Sequence, residues 1–307
     1  MIQRLLPFLT LIALFAGLSL ATPHFLTVVN LAAVIRQTAV INIIALGMTM
    51  VIIAGGIDLS VGSIMALCGL LGAMTVGQGQ PILVGLAVGL LTGVACGLVN
   101  GLLVTKLRIN PFIVTLGTLG IYRGVCLIIS GGLPIQNMPK GFAFLGEGAI
   151  LHIPFVLYVL FACAAGVHML LEHTRMGRYA FAIGSNAEAA FYAGIPVSFH
   201  VTAIYAAGGL LTGLAGMVET SRLMTGQPTA GQGYELQAIA AVVIGGGSLR
   251  GGEGSVVGTL IGAYIMGLLS NGSDLLGISP YLQQAIIGAV IILAVVLDEL
   301  RKRRMAA

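Results

Sequence analysis

Apolar residues run along this chain in stretches too long for strands and too unbroken for surface helices. Ten such segments lie near residues 5–22, 38–54, 59–76, 81–104, 111–130, 151–171, 200–220, 234–248, 254–270 and 281–298. A helix needs roughly 20 mostly apolar residues to cross about 30 Å of hydrocarbon. Strands of a membrane barrel alternate polar and apolar residues instead, and these runs do not. The pattern predicts an all-α integral membrane protein, a polytopic bundle of about ten transmembrane helices in one domain over 1–307. The eighth segment, around "QAIAAVVIGGG", is short for a full crossing and is a candidate for a broken or re-entrant span.

Composition agrees with this pattern. The chain is 58% hydrophobic and 8% charged, against about 25% charged in a soluble domain. Its 45 glycines suit helices packed closely in lipid, where small side chains let backbones approach. The basic first residues and apolar run of 1–22 end in Ala21-Thr22-Pro23, a poor cleavage site, so a retained first span is expected. Of the 14 Lys and Arg, ten fall on one side of an even-numbered bundle: Arg4, Lys106, Arg108, Arg175, Arg178, Arg250, Arg301, Lys302, Arg303 and Arg304. Basic loops stay cytoplasmic, so both termini are expected there. Cys68, Cys96, Cys126 and Cys163 lie in apolar runs without CxxC spacing and read as packed thiols. The histidines form no ligand set, no nucleic-acid patch is visible, and no GxxxxGK[ST] phosphate loop occurs. No metal, bound cofactor or catalytic residue is expected in this chain.

The longest cytoplasmic interval, about 172–199, contains "GSNAEAAFYAGIP" (184–196). Ser185 and Glu188 have capping-box spacing, Ala187, Ala189 and Ala190 tolerate a helix, and Gly194 with Pro196 would end it. The expected product is a helix of about two turns, marginal alone in water. Ala187, Ala190, Phe191 and Gly194 recur at helical spacing. They form a smooth face with one aromatic knob, suited either to a partner's groove or to the protein's own membrane surface.

Two glycine turns interrupt apolar runs. In "AGGIDLSVG", Gly55 and Gly56 end one helix, and Asp58 or Ser60 caps the next ahead of Gly62. A carboxylate inside a membrane is costly and rarely faces lipid. Asp58 is therefore either a plain cap or part of a gate. "VVIGGGSLRGGEGSVVG" (242–258) echoes the same design. Asn42, Asn100, Thr118 and Asn271, embedded in apolar runs, are candidates for lining a polar path or for bonding neighbouring helices. Glu219 and Arg222 have the spacing of an ion pair on one helix face.

"EAAFYAG" (188–194) resembles the E-A-A-x-x-x-G signature of permease subunits of ABC importers. With "AGGIDLSVGSIMAL" (54–67), "GTLGIYRG" (117–124), "TRMGRYAFAIGSN" (174–186) and "QPTAGQGYELQAIAAVVIGGGSLRGGEGSVVGTLIGA" (227–263), the chain is similar over most of its length to the ribose, xylose and autoinducer-2 branch. The resemblance implies an inner-membrane permease that imports a monosaccharide by alternating access. Its partners would be ATP-binding subunits that hold ATP-Mg, a second permease copy or paralogue, a periplasmic sugar-binding protein and membrane lipid. It also implies that Arg178, Ser185, Glu188, Ala189, Ala190, Phe191 and Gly194 couple the permease to the ATPase. An ion-driven secondary transporter is the alternative, with Asp58 its one fair candidate for an ion-coupled acid. A membrane enzyme lacks a catalytic cluster, and a purely structural subunit leaves the coupling signature without a use.

Overall fold

The computed structural model describes the backbone of residues 2–306 and the side chains of residues 6–293, 295 and 296. The side chains of Arg4, Arg301, Lys302, Arg303 and Arg304, used above for orientation, lie outside the described residues. Among the described residues the chain forms α1 (Ile2–Ala21), α2 (Val28–Ile53), α3 (Val61–Gly77), α4 (Ile82–Lys106), α5 (Pro111–Ser130), α6 (Phe144–Glu147), α7 (Phe155–His173), α8 (Arg175–Ser185), α9 (Ala187–Tyr192), α10 (Val197–Leu223), α11 (Tyr234–Ile244), α12 (Val256–Leu275) and α13 (Pro280–Ala306). A short hairpin, β1 (Ala149–Ile150) with β2 (Ile153–Pro154), precedes α7. Among the described residues six helices (α2, α4, α5, α7, α10 and α12) are long and apolar enough to cross a membrane. Shorter apolar stretches lie in α1, α3, α11 and α13.

Contacts between connections sort them to two ends of the bundle. At one end the turn after α2 meets the end of α8 and the turn after α11, where Gly252 N–H donates to the Ile53 carbonyl at 2.9 Å. At the other end Ile135 and Gly226 form a two-way backbone bridge, Ser221 Oγ donates to Phe142 O at 2.6 Å, and Arg36 pairs with Glu147 at 3.3 Å. The first end is the one assigned to the cytoplasm from the basic residues.

The core forms around α2, buried without a break from Thr38 to Ile53. Glycine sets its closest helix crossing. A methyl group at Gly93 of α4 would overlap the Gly209 carbonyl of α10, and one at Gly97 would overlap the Tyr205 carbonyl. Lipid tails give helices no hydrophobic reason to associate, so this backbone approach must supply dispersion contacts.

One expectation needs correction. α2 begins at Val28, ten residues before the apolar run that marked it at 38. Its polar first turns are held by partners no local pattern displays. Asn30 and Asn271 exchange amide hydrogen bonds of 3.1 and 2.8 Å, and Arg36 meets Glu147. The eighth segment is, as expected, short for a full crossing. α11 has 11 residues, about 16 Å at 1.5 Å per residue, too short to cross alone. Residues 224–233 ahead of it are non-helical, yet Gly226, Pro228 and Gly231 are buried. Irregular backbone is tolerated at that depth only where protein satisfies it, and here Arg123 Nη1 donates to the Pro228 carbonyl at 2.6 Å.

Candidate functional site: the coupling segment and the helix break

The interval 172–199 holds two helices where one was expected. α8 is capped by Thr174, whose hydroxyl accepts from Gly177 N–H at 3.3 Å. Gly177, Ala180 and Ile183 recur every three residues and are buried, so α8 lies along the bundle with its polar face, Arg178 included, turned outward. The Thr174 cap and that spacing were legible in the sequence; the polarity of the interval hid them.

α9 follows after a single non-helical residue. Its N-cap is Asn186, whose Oδ1 accepts from Ala189 N–H at 2.9 Å. The capping box expected from Ser185 and Glu188 does not form. Ser185 still belongs to α8, and its hydroxyl donates to Phe181 O at 2.8 Å. Glu188 stands exposed in the first turn of α9, where a carboxylate favours the positive helix end. The far end follows the expectation. Gly194 has φ +83°, its N–H bonds Phe191 O at 3.0 Å, and Ile195 N–H bonds Ala190 O at 3.1 Å. These two bonds are the Schellman pair.

The expected smooth face needs a correction. Ala190 is buried against the bundle, whereas Ala187, Ala189 and Gly194 are exposed. Phe191 is 65% and Tyr192 78% exposed. The outward surface of α9 is therefore an aromatic pair with rings 5.8 Å apart, flanked by Glu188, rather than a small-residue ridge.

The first glycine turn ends α2 with the same Schellman geometry. Gly55, at φ +82°, bonds Ile52 O, and Gly56 N–H bonds Val51 O, both at 2.9 Å. Ser60 occupies the N-cap of α3 without a side-chain cap bond. Asp58 does the local work instead. Its Oδ1 accepts from Ser60 N–H at 2.9 Å and from Ser60 Oγ at 2.6 Å. Asn100 of α4 donates to Ser60 Oγ at 2.8 Å and lies 3.4 Å from Asp58 Oδ2. Tyr122 of α5 donates to the Cys96 carbonyl at 3.1 Å, with Asn100 Oδ1 at 3.4 Å. Thr115 of α5 and Tyr205 of α10 both reach the Ile57 carbonyl, at 3.2 and 3.3 Å. One buried polar cluster thus ties the break to three other helices, and Asp58 within it is 3% exposed. Tyr205 was not foreseen, because a tyrosine in an apolar run gives no sign of which carbonyl its hydroxyl will reach. Gly62 opens α3 against a neighbour: a methyl there would overlap the Gly231 carbonyl.

The four path candidates separate. Asn100 belongs to the break cluster, and Thr118 bonds back along α5 to Thr115 O at 3.4 Å. Asn271 is engaged with Asn30. Asn42 is fully buried in α2 and donates to Thr38 O at 3.0 Å. Glu219 and Arg222 form a two-bond pair, both at 2.9 Å.

The family model described as branched-chain amino acid transport system / permease component matches residues 30–295. The chain is 47% identical to the ribose import permease protein RbsC of Bacillus subtilis (strain 168), over 96% of its own length and 92% of the relative's. It is 43% identical to the ribose import permease protein RbsC of Escherichia coli (strain K12), over 94% and 92% respectively. A D-allose transport system permease protein of the same organism is 38% identical over 94% and 89%. No solved structure matches the chain.

Proposed function

Because this chain belongs to the family of branched-chain amino acid transport system permease components, we propose that it is the membrane-spanning subunit of a bacterial ATP-driven sugar importer. The cargo is a monosaccharide of the ribose and allose class, in keeping with the relatives' names. The chain lies in the inner membrane as a single permease domain and is no enzyme; ATP-Mg is bound and hydrolysed in separate subunits. Ten spans with both termini in the cytoplasm fit the sorting of its connections and its basic residues. A second permease copy or paralogue and a periplasmic sugar-binding protein complete the assembly.

The observation that carries the coupling role is α9. Six residues cannot hold a helix in water by themselves, yet α9 is capped at both ends and presents Phe191 and Tyr192 outward. Such an aromatic knob fits a groove on a partner. α9, with Arg178 and Ser185 before it, is the contact for the ATP-binding subunit. Asp58, Ser60 and Asn100 form the break that responds.

A Tyr192→Cys variant, treated with a short bifunctional cross-linker in native membranes, is expected to give one covalent product with the ATP-binding subunit. Cross-linking to lipid-embedded segments alone would remove this role. Uptake of labelled ribose, allose and arabinose in the same membranes then identifies the cargo.

A further inference from the structure

α9 is joined to the bundle by more than its own chain. The residues leading into it are pressed between two glycine turns that lie far away in sequence. A methyl group at Gly184 would overlap the Ile53 carbonyl and stand 2.5 Å from the Gly252 nitrogen. One at Gly251 would lie 2.7 Å from the Gly184 oxygen and 2.9 Å from the Gly55 Cα. One at Gly252 would meet Ser185 Oγ at 2.5 Å. Gly251 and Gly252 also have φ of +88° and +74°, and Gly252 N–H donates to the Ile53 carbonyl at 2.9 Å. Three chain segments, 53–55, 184–185 and 251–252, therefore meet backbone to backbone.

A contact of this kind has no rotamers to absorb movement. Close-packed protein transmits displacement rather than damping it. Three residues beyond Gly55 stands Asp58, whose cluster reaches α4, α5 and α10. Beyond this joint, α9 touches only α8 and the start of α10 among the larger packing contacts.

We propose that Gly184, Gly251 and Gly252 are positioning residues that weld the coupling segment to the end of α2. A displacement of α9 by the ATP-binding subunits then arrives at the Asp58 break as a rigid movement. The inference rests on the reading of α9 as the ATPase contact.

The complete transporter, with ATP-binding subunits and binding protein, is reconstituted in vesicles, and sugar imported and ATP hydrolysed are counted together. Gly184→Ala pries the joint open. It is expected to lower sugar moved per ATP by about tenfold, within the usual range of coupling between sites, while ATP hydrolysis per assembled complex continues. Damage to folding or assembly alone lowers both rates together and leaves the ratio unmoved, and that result overturns the proposal.

Hydrogen exchange on the unaltered complex supplies a second reading that needs no variant. The Gly252 amide is expected to stay protected both with and without bound ATP. Opening of that bond in either state overturns the rigid joint. If α9 cross-links to the ATPase and the Gly184→Ala ratio equals the unaltered one, the joint fails and the α9 contact stands. If α9 gives no such cross-link, both fail.

Discussion

A Gly194→Val variant is expected to enter the membrane normally and to import no sugar above background. No neighbouring atom lies within 4 Å of a Cβ added there, so the site has no close wall at that carbon. The effect is conformational. The residue sits at φ +83°, where a left-handed backbone costs an L-residue about 1–2 kcal/mol, and a β-branched residue is a clear outlier there. The Schellman bonds to Phe191 and Ala190 are lost with that geometry, and a six-residue helix has no reserve against such a loss. Phe191 and Tyr192 then no longer point as a pair. Asparagine tolerates the left-handed region, so Gly194→Asn is expected to keep most of the uptake. Uptake by membrane vesicles, set against the amount of inserted chain, checks both variants. Normal transport by the valine variant would remove α9 from the mechanism.

The second large effect is expected at Asp58. Asp58→Ala leaves Ser60 N–H and the Ser60 hydroxyl without their carboxylate acceptor in a site closed to water, while the Asn100 amide keeps Ser60 Oγ. Each buried donor left without a partner costs about 1–3 kcal/mol. Asp58→Asn keeps an oxygen for Ser60 but sets a second NH2 group toward the Asn100 amide, so it is expected to recover only part of the loss. The measurements are the unfolding midpoint of the purified complex and its uptake rate, both of which should fall. The double variant Asp58→Ala/Ser60→Ala, which also removes the stranded hydroxyl, should lower the midpoint by less than the two single variants summed, because neighbours in one network do not add. Full stability in Asp58→Ala would show that the carboxylate plays no part in holding the break.

The bundle was legible because span length and lack of alternation are local properties. Gly55, Gly194 and Pro196 announced two helix ends for the same reason: a positive φ favours one residue type, and proline blocks continuation. The start of α2 was not legible. Asn30 and Arg36 look like loop residues until Asn271 and Glu147, more than a hundred residues away, take up their polar groups. The cap of α9 shows a finer limit. "SNAE" offers two capping residues in succession, and the choice falls to Asn186 because α8 runs on through Ser185, beside the seat of Gly184 on Ile53 and Gly252. Glycines at 55, 184 and 252 read separately as a turn, a small residue and a loop. Only the folded chain brings them together.

Sugar uptake into vesicles containing the purified complex is the most direct measurement of whether a separate ATPase drives this chain. Accumulation that needs ATP on the side of α9, and that stops when the ATP-binding subunits are stripped away, is the expected result. Accumulation by this chain alone along an ion gradient, with no nucleotide present, would contradict it.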